Sequence, residues 1–104
     1  MLESQKNQRI NMKSASARHL LVESEEVCND LKQRIANGEK FEDLAKEFSQ
    51  CPSGKDGGNL GNFHQGQMVP EFDKVVFNDA INVVHGPVKT QFGFHLLETT
   101  SRND

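Results

Sequence analysis

The run from Cys51 to Phe72, CPSGKDGGNLGNFHQGQMVPEF, most restricts what this chain can fold into. Gly54, Gly57, Gly58, Gly61 and Gly66, with Pro52 and Pro70 near the ends, break any long helix or strand. Leu60, Phe63, Met68, Val69 and Phe72 are threaded through the same run, so it is not a solvated linker either. Glycines let a backbone turn tightly, and interleaved apolar side chains need something to pack against. A long loop inside a short domain is commonly functional. The pattern predicts the wall and floor of a small apolar pocket, with Cys51 at its rim.

Regular elements surround this run. The apolar and β-branched residues from Ala17 to Glu23 predict a strand, with His19 and Leu21 on one face and Leu20 and Val22 on the other. Ser24 reads as a helix N-cap, followed by Glu25 and Glu26 at the positive end of the helix. Val27, Leu31 and Ile35 form its apolar stripe with Cys28 beside it, and Asn37-Gly38 ends it. Phe41, Leu44, Ala45 and Phe48 predict a second helix that stops near Ser49 or Gln50, because Pro52 disfavours helical geometry at Cys51. Asn59 to Phe63 reads as a short edge strand. Pro70 opens a third helix carrying Phe72, Val75, Val76 and Asp79, with Phe77 on its flank. Residues 80–85 connect it to a strand over 86–90, a turn at Gln91-Phe92-Gly93 and a last strand over 94–99. The order β-α-α-β-α-β-β predicts an α+β domain around one antiparallel sheet.

At 104 residues the chain is one domain, spanning 17–100, with residues 1–16 a flexible basic N-terminal tail and 101–104 a polar C-terminal end. The net charge of −3 gives no basic field for nucleic acid. Lys6, Arg9, Lys13 and Arg18 against Glu3 make only the beginning basic. The two cysteines, Cys28 and Cys51, make no disulfide framework, which points to a reducing, cytoplasmic setting. No apolar run approaches the roughly 20 residues of a membrane helix. No cofactor or metal is expected, and the chain is expected to act as a monomer.

His-Leu-Leu occurs at 19–21 and again at 95–97, placing His19 and His95 mid-strand in the first and last strands. If those strands pair, the imidazoles share a face. Each histidine could equally be a packed structural residue bonded to a hydroxyl. Cys51 is either a small hydrophobe or, with histidines elsewhere in the chain, a candidate nucleophile. Cys28, on a helix stripe, reads as packing.

These motifs in order, His-Leu-Leu-Val, Phe-Glu-Asp-Leu-Ala-Lys-Glu-Phe-Ser, Cys51 to Phe63, Gly66 to Phe72 and Gly86 to Leu97, resemble the parvulin-type peptidyl-prolyl cis/trans isomerases, in particular the small stand-alone bacterial type. The resemblance covers about residues 17–100. It implies a four-stranded antiparallel sheet surrounded by about four helices, an FKBP-like superfold, with an extra helical turn around 52–55. It implies catalysis of rotation about X-Pro bonds, with His19 and His95 as paired histidines beneath the site and Cys51 as its cysteine. Leu60, Met68 and Phe72 are implied to hold the proline ring, with Phe63 and Gln67 near it. Thr90 is implied to support the histidines, and Phe92 and Phe94 to sit in the adjacent turn. Partners are then X-Pro-containing polypeptides and unfolded proteins. Phosphate-directed parvulins carry basic residues after the first strand. Here that segment is Glu23-Ser24-Glu25-Glu26, so no phosphate requirement is expected. Two alternatives share these residues: a binding module or chaperone without catalysis, and a thiol or metal protein built on Cys51, His19 and His95.

Overall fold

A computed structural model describes residues 13–103, and its sheet is built outward from two long central strands. These are β1 (Ser14–Val22) and β4 (Gly93–Asn103), paired antiparallel with His19 opposite Leu97 and Leu21 opposite His95. β2 (Asn59–His64) adds to the free side of β1 and β3 (Val84–Thr90) to the free side of β4, giving the order β2-β1-β4-β3. β3 and β4 form a tight hairpin, with Thr90 opposite Gly93.

Three strand boundaries move, and β3 begins at Val84 rather than at residue 86. β1 begins at Ser14 rather than Ala17, so residues 14–16 belong to the sheet and not to the expected tail. The Ser-Ala-Ser-Ala alternation is too weakly apolar to announce a strand. Ala15 and Ala17 are nevertheless buried, and the segment pairs on both sides, with β2 and β4. β4 likewise runs through Ser101, Arg102 and Asn103, most of the expected polar end. Residues 1–12 and 104 lie outside the described residues.

Helices cover both faces. On one face lie α1 (Glu25–Ala36) and α2 (Phe41–Phe48), packed on Leu20, Val22 and Leu96. The Ser24 hydroxyl caps α1 by accepting from the Val27 amide at 3.1 Å. The buried stripe of α1 is Cys28 and Leu31 with Ile35 packed beside them. Val27 is 42% exposed, so the expected stripe is rotated off it. α3 (Pro70–Asn78) covers the other face, burying Phe72, Val76 and Phe77 against Ala15, Ala17 and Leu97. Arg102 closes its C-terminal end, Nη1 donating to the carbonyls of Val76 at 2.8 Å and Asp79 at 2.7 Å. A 3-10 helix, Pro52–Asp56, is the extra turn the resemblance implied. No helix among the described residues is long and apolar enough to cross a membrane.

Candidate active site

The strand pairing places His19 and His95 diagonally across β1 and β4, on the face covered by α3. Their Nδ1 atoms lie 3.1 Å apart and share a hydrogen bond, one ring donating and the other accepting. Each outer nitrogen meets a hydroxyl: His19 Nε2 lies 3.1 Å from Ser53 Oγ, and His95 Nε2 lies 2.7 Å from Thr90 Oγ1. Thr90 Oγ1 also accepts from the Phe92 amide at 3.1 Å, which ties the hairpin turn to the histidines. Both rings are nearly sealed from solvent, at 4% and 3% exposure. Burial lowers the His19 pKa to about 4, with His95 pushing the same way. Burial also lowers His95 to about 4, against an opposing pull from Glu71. The pair is therefore neutral at pH 7. Every ring nitrogen has a partner, as buried polar atoms require.

Phe72 stands on this pair edge-on, its centroid 5.3 Å from His19 and 4.7 Å from His95. Above it opens a cavity of about 390 Å³, walled by Leu21, Leu60, Met68, Val69, Phe72 and Phe92, with both imidazoles in its lining and Gln50, Cys51 and Pro52 along one side. Its volume suits a small apolar group, and its lining is mostly hydrocarbon.

The glycine-rich run builds those walls. The Gln50 amide donates to the Leu21 carbonyl at 2.8 Å, and Ser49 Oγ accepts from the amides of Leu21 at 3.1 Å and Cys51 at 3.3 Å. The segment is thus pinned to the end of β1. Gly58 lies directly against β1: its carbonyl accepts from the His19 amide at 2.9 Å, and an added Cβ would sit 2.2 Å from the His19 carbonyl oxygen. In β2, Ala17 pairs with Gly61 but Arg18 with Asn59, so Leu60 is the extra residue of a bulge. That bulge puts Leu60 on the same face as Phe63, though an unbroken strand would separate them.

Several expected positions are corrected. Phe63 is buried but meets Phe77 at 6.2 Å and does not line the cavity. Gln67 is exposed. Its side-chain oxygen accepts from the His64 amide at 2.6 Å, shaping the loop that presents Met68 rather than touching the cavity. Phe94 packs with the α1–α2 core, on the far face of the sheet, because it neighbours His95 in a strand and must point the opposite way. By contrast, Thr90 lies beneath the site with Oγ1 2.7 Å from His95 Nε2, the supporting position the resemblance implied for it. Phe92 is at the cavity, 61% exposed. Val69 lines the cavity, as the apolar pattern of the run predicted, whereas Leu21, Gln50, Pro52 and Ser53 join the site without having been assigned to it. For Leu21 a signal existed, since it shares a strand face with His19.

Cys51 is part-buried at the cavity edge, and among the described residues no hydrogen bond joins its thiol to either imidazole. No group of three or more His, Cys, Asp or Glu is arranged to hold a metal ion among those residues. The family model for the PPIC-type PPIASE domain matches residues 2–103. The chain belongs to the PPIC-type peptidyl-prolyl isomerase domain family. It is a parvulin-type isomerase domain, and its α+β fold is that of its parvulin neighbours. It is similar to the foldase protein PrsA of Caldanaerobacter subterraneus subsp. tengcongensis, 45% identical over 80% of this chain and 28% of that protein. It is also similar to the chloroplastic rhodanese-like/PpiC domain-containing protein 12 of Arabidopsis thaliana, 46% identical over 83% of this chain and 29% of that one. The chain thus spans less than a third of the length of these relatives. Among solved structures, NmPin, the parvuline of Nitrosopumilus maritimus, superposes with a TM-score of 0.78 at 33% identity, covering 86% of this chain and 97% of that one. PrsA of Bacillus anthracis superposes with a TM-score of 0.86 at 33% identity, covering 96% of this parvulin domain and 46% of that chain.

Proposed function

We propose that the chain accelerates X-Pro rotation in extended polypeptides without a covalent step and without a phosphate before the proline. One observation carries this reading: an apolar cavity seated on a neutral, fully hydrogen-bonded histidine pair. The barrier to X-Pro rotation, near 20 kcal/mol, is lost amide resonance, and no bond to carbon need form or break. Leu60, Met68, Val69 and Phe72 would grip the proline ring while the preceding carbonyl turns past Cys51. An apolar wall disfavours the charge-separated planar amide and so favours the twisted one. A nucleophile needs a base within reach. Both imidazoles already spend their nitrogens on each other and on Ser53 and Thr90, which leaves Cys51 as a polar neighbour of the rotating carbonyl.

Glu23, Glu25 and Glu26, at the exit of β1, would repel a phosphate. The protein is proposed to act as a cytoplasmic monomer, since a free thiol at the site suits a reducing compartment. A protease-coupled exchange assay tests the reading on Ala-Pro and phosphoserine-Pro peptides, with Cys51→Ala and Cys51→Asp beside the natural chain. Ala-Pro is expected to be the better substrate, and each variant to lose no more than about tenfold, or about 1.4 kcal/mol of barrier. A preference for phosphoserine, or complete loss in both variants together with a trapped tetrahedral adduct of the Cys51 thiol on the X-Pro carbonyl, overturns it.

A further inference from the structure

The turn between β2 and α3 carries Met68 and Val69 into the cavity wall, and little packing holds it there. A Cβ at Gly66 would meet nothing within 4 Å, at a backbone φ of +95°. Gln65, Gly66 and Gln67 are all exposed. Behind Met68 lies a second hollow of about 380 Å³, lined by Gln65, Gly66, Pro70, Asp73, Lys74 and Asn78. Met68 therefore stands as a partition between the cavity and this hollow. A methionine side chain is unbranched and adapts to either space. Hydrogen bonds in the turn, more than packing, decide which side it occupies.

The Gln65 amide donates to the Lys13 carbonyl at 3.0 Å, which continues the pairing of β2 with β1. Gln67 closes the turn on His64: its amide donates to the His64 carbonyl at 3.2 Å, and its Oε1 accepts from the His64 amide at 2.6 Å. These bonds shape the turn without joining it to α3. Asp73 makes that joint, Oδ2 accepting from the Gly66 amide at 2.8 Å. Asp73 follows Phe72, whose ring stands on the histidine pair. The turn bearing Met68 is thus tied to the same helix that bears Phe72. An acid in the first turn of α3 also suits the positive end of a helix. That role asks only for a charge, which could stay in water. Asp73 instead buries Oδ1 with no hydrogen-bond partner among the described residues, which costs stability. A carboxylate so placed fits positioning better than stabilisation.

We propose that Asp73 is a positioning residue for the isomerisation, clipping the 64–67 turn to α3 and so keeping Met68 in the cavity wall rather than in the hollow behind it. This rests on the isomerase reading and adds a residue to its machinery. The test is exchange NMR on an Ala-Pro peptide over a range of peptide concentrations, with the 104-residue chain, Asp73→Ala and Asp73→Asn. Releasing the turn loosens the grip on proline in the ground state and the transition state alike. Asp73→Ala is therefore expected to raise KM about tenfold with kcat within about twofold. Asp73→Asn loses the charge but keeps an acceptor for the Gly66 amide, and should bring KM back to within about twofold of the natural chain. A merely structural residue would lower the folded fraction, and with it the apparent kcat, while leaving KM alone. In Met68→Ala, where the side chain to be held is gone, adding Asp73→Ala should change KM by less than about twofold. In the natural chain the Gly66 amide should exchange with solvent at least about tenfold more slowly than a free amide, a measurement that needs no variant to fold. An unchanged KM in Asp73→Ala, Asp73→Asn behaving like Asp73→Ala, a full Asp73→Ala effect in Met68→Ala, or a freely exchanging Gly66 amide each overturns the clip and leaves the isomerase reading intact. No acceleration by the natural chain overturns both.

Discussion

Because His19 and His95 are held neutral, the fold should lose stability at mildly acid pH, well before the carboxylates titrate. Both rings are buried, with pKa values lowered from 6.5 to about 4. In the unfolded chain each takes up its proton near pH 6.5. Between those values the unfolded chain binds more protons than the folded one, so stability falls as the pH falls. The contribution is complete above about pH 6.5 and is lost progressively towards about pH 4. Integrated from about pH 7.5 to about pH 5, it amounts to about 2 kcal/mol per imidazole. The rings share a hydrogen bond and do not titrate independently, so the pair is worth roughly 2–4 kcal/mol. That is a large share of the 5–15 kcal/mol typical of a domain. Urea unfolding across this range measures the slope, and NMR titration of the imidazole Cε1 protons assigns it. Either ring titrating near its ordinary value, or a stability unchanged down to about pH 5, refutes the reasoning.

Two further substitutions probe how the site is held. Gly58→Ala would place a Cβ 2.2 Å from the His19 carbonyl oxygen at a backbone φ of +85°. It should cost about 2–5 kcal/mol in urea unfolding, whereas a near-neutral result would show that the loop does not pin β1. Thr99 is fully buried, and its hydroxyl has no hydrogen-bond partner among the described residues. Thr99→Val should therefore raise stability by about 1 kcal/mol in thermal unfolding, and a loss of stability contradicts this.

The sequence shows the helices and strands clearly where apolar periodicity is strong, as in α2, where Phe41, Leu44 and Ala45 are all buried. The repeated His-Leu-Leu carried the key tertiary fact, because two histidines at matching strand positions meet only if the first and last strands pair. The cavity was legible as composition but not as shape. Which loop residues face inward depends on the Leu60 bulge, on the close approach of Gly58 to β1 and on the pinning of Gln50 to Leu21. None of these is periodic. Phe63 was misplaced for that reason, since it follows the bulge into the α3 core. Phe94 was different, because strand alternation from His95 already sent it to the far face. Ser14 to Ser16 were hidden by small side chains whose strand exists only because both neighbours supply its hydrogen bonds.

The most direct test of catalysis by the cavity is exchange NMR on an Ala-Pro peptide with a catalytic amount of the chain, compared with Met68→Ala/Phe72→Leu. Uncatalysed exchange takes tens of seconds. The natural chain is predicted to bring cis–trans exchange cross-peaks into sub-second mixing times, and the double variant to lose them while keeping a folded spectrum. Peptide binding at Met68 and Phe72 with no change in exchange rate would contradict catalysis and leave a binding module in its place.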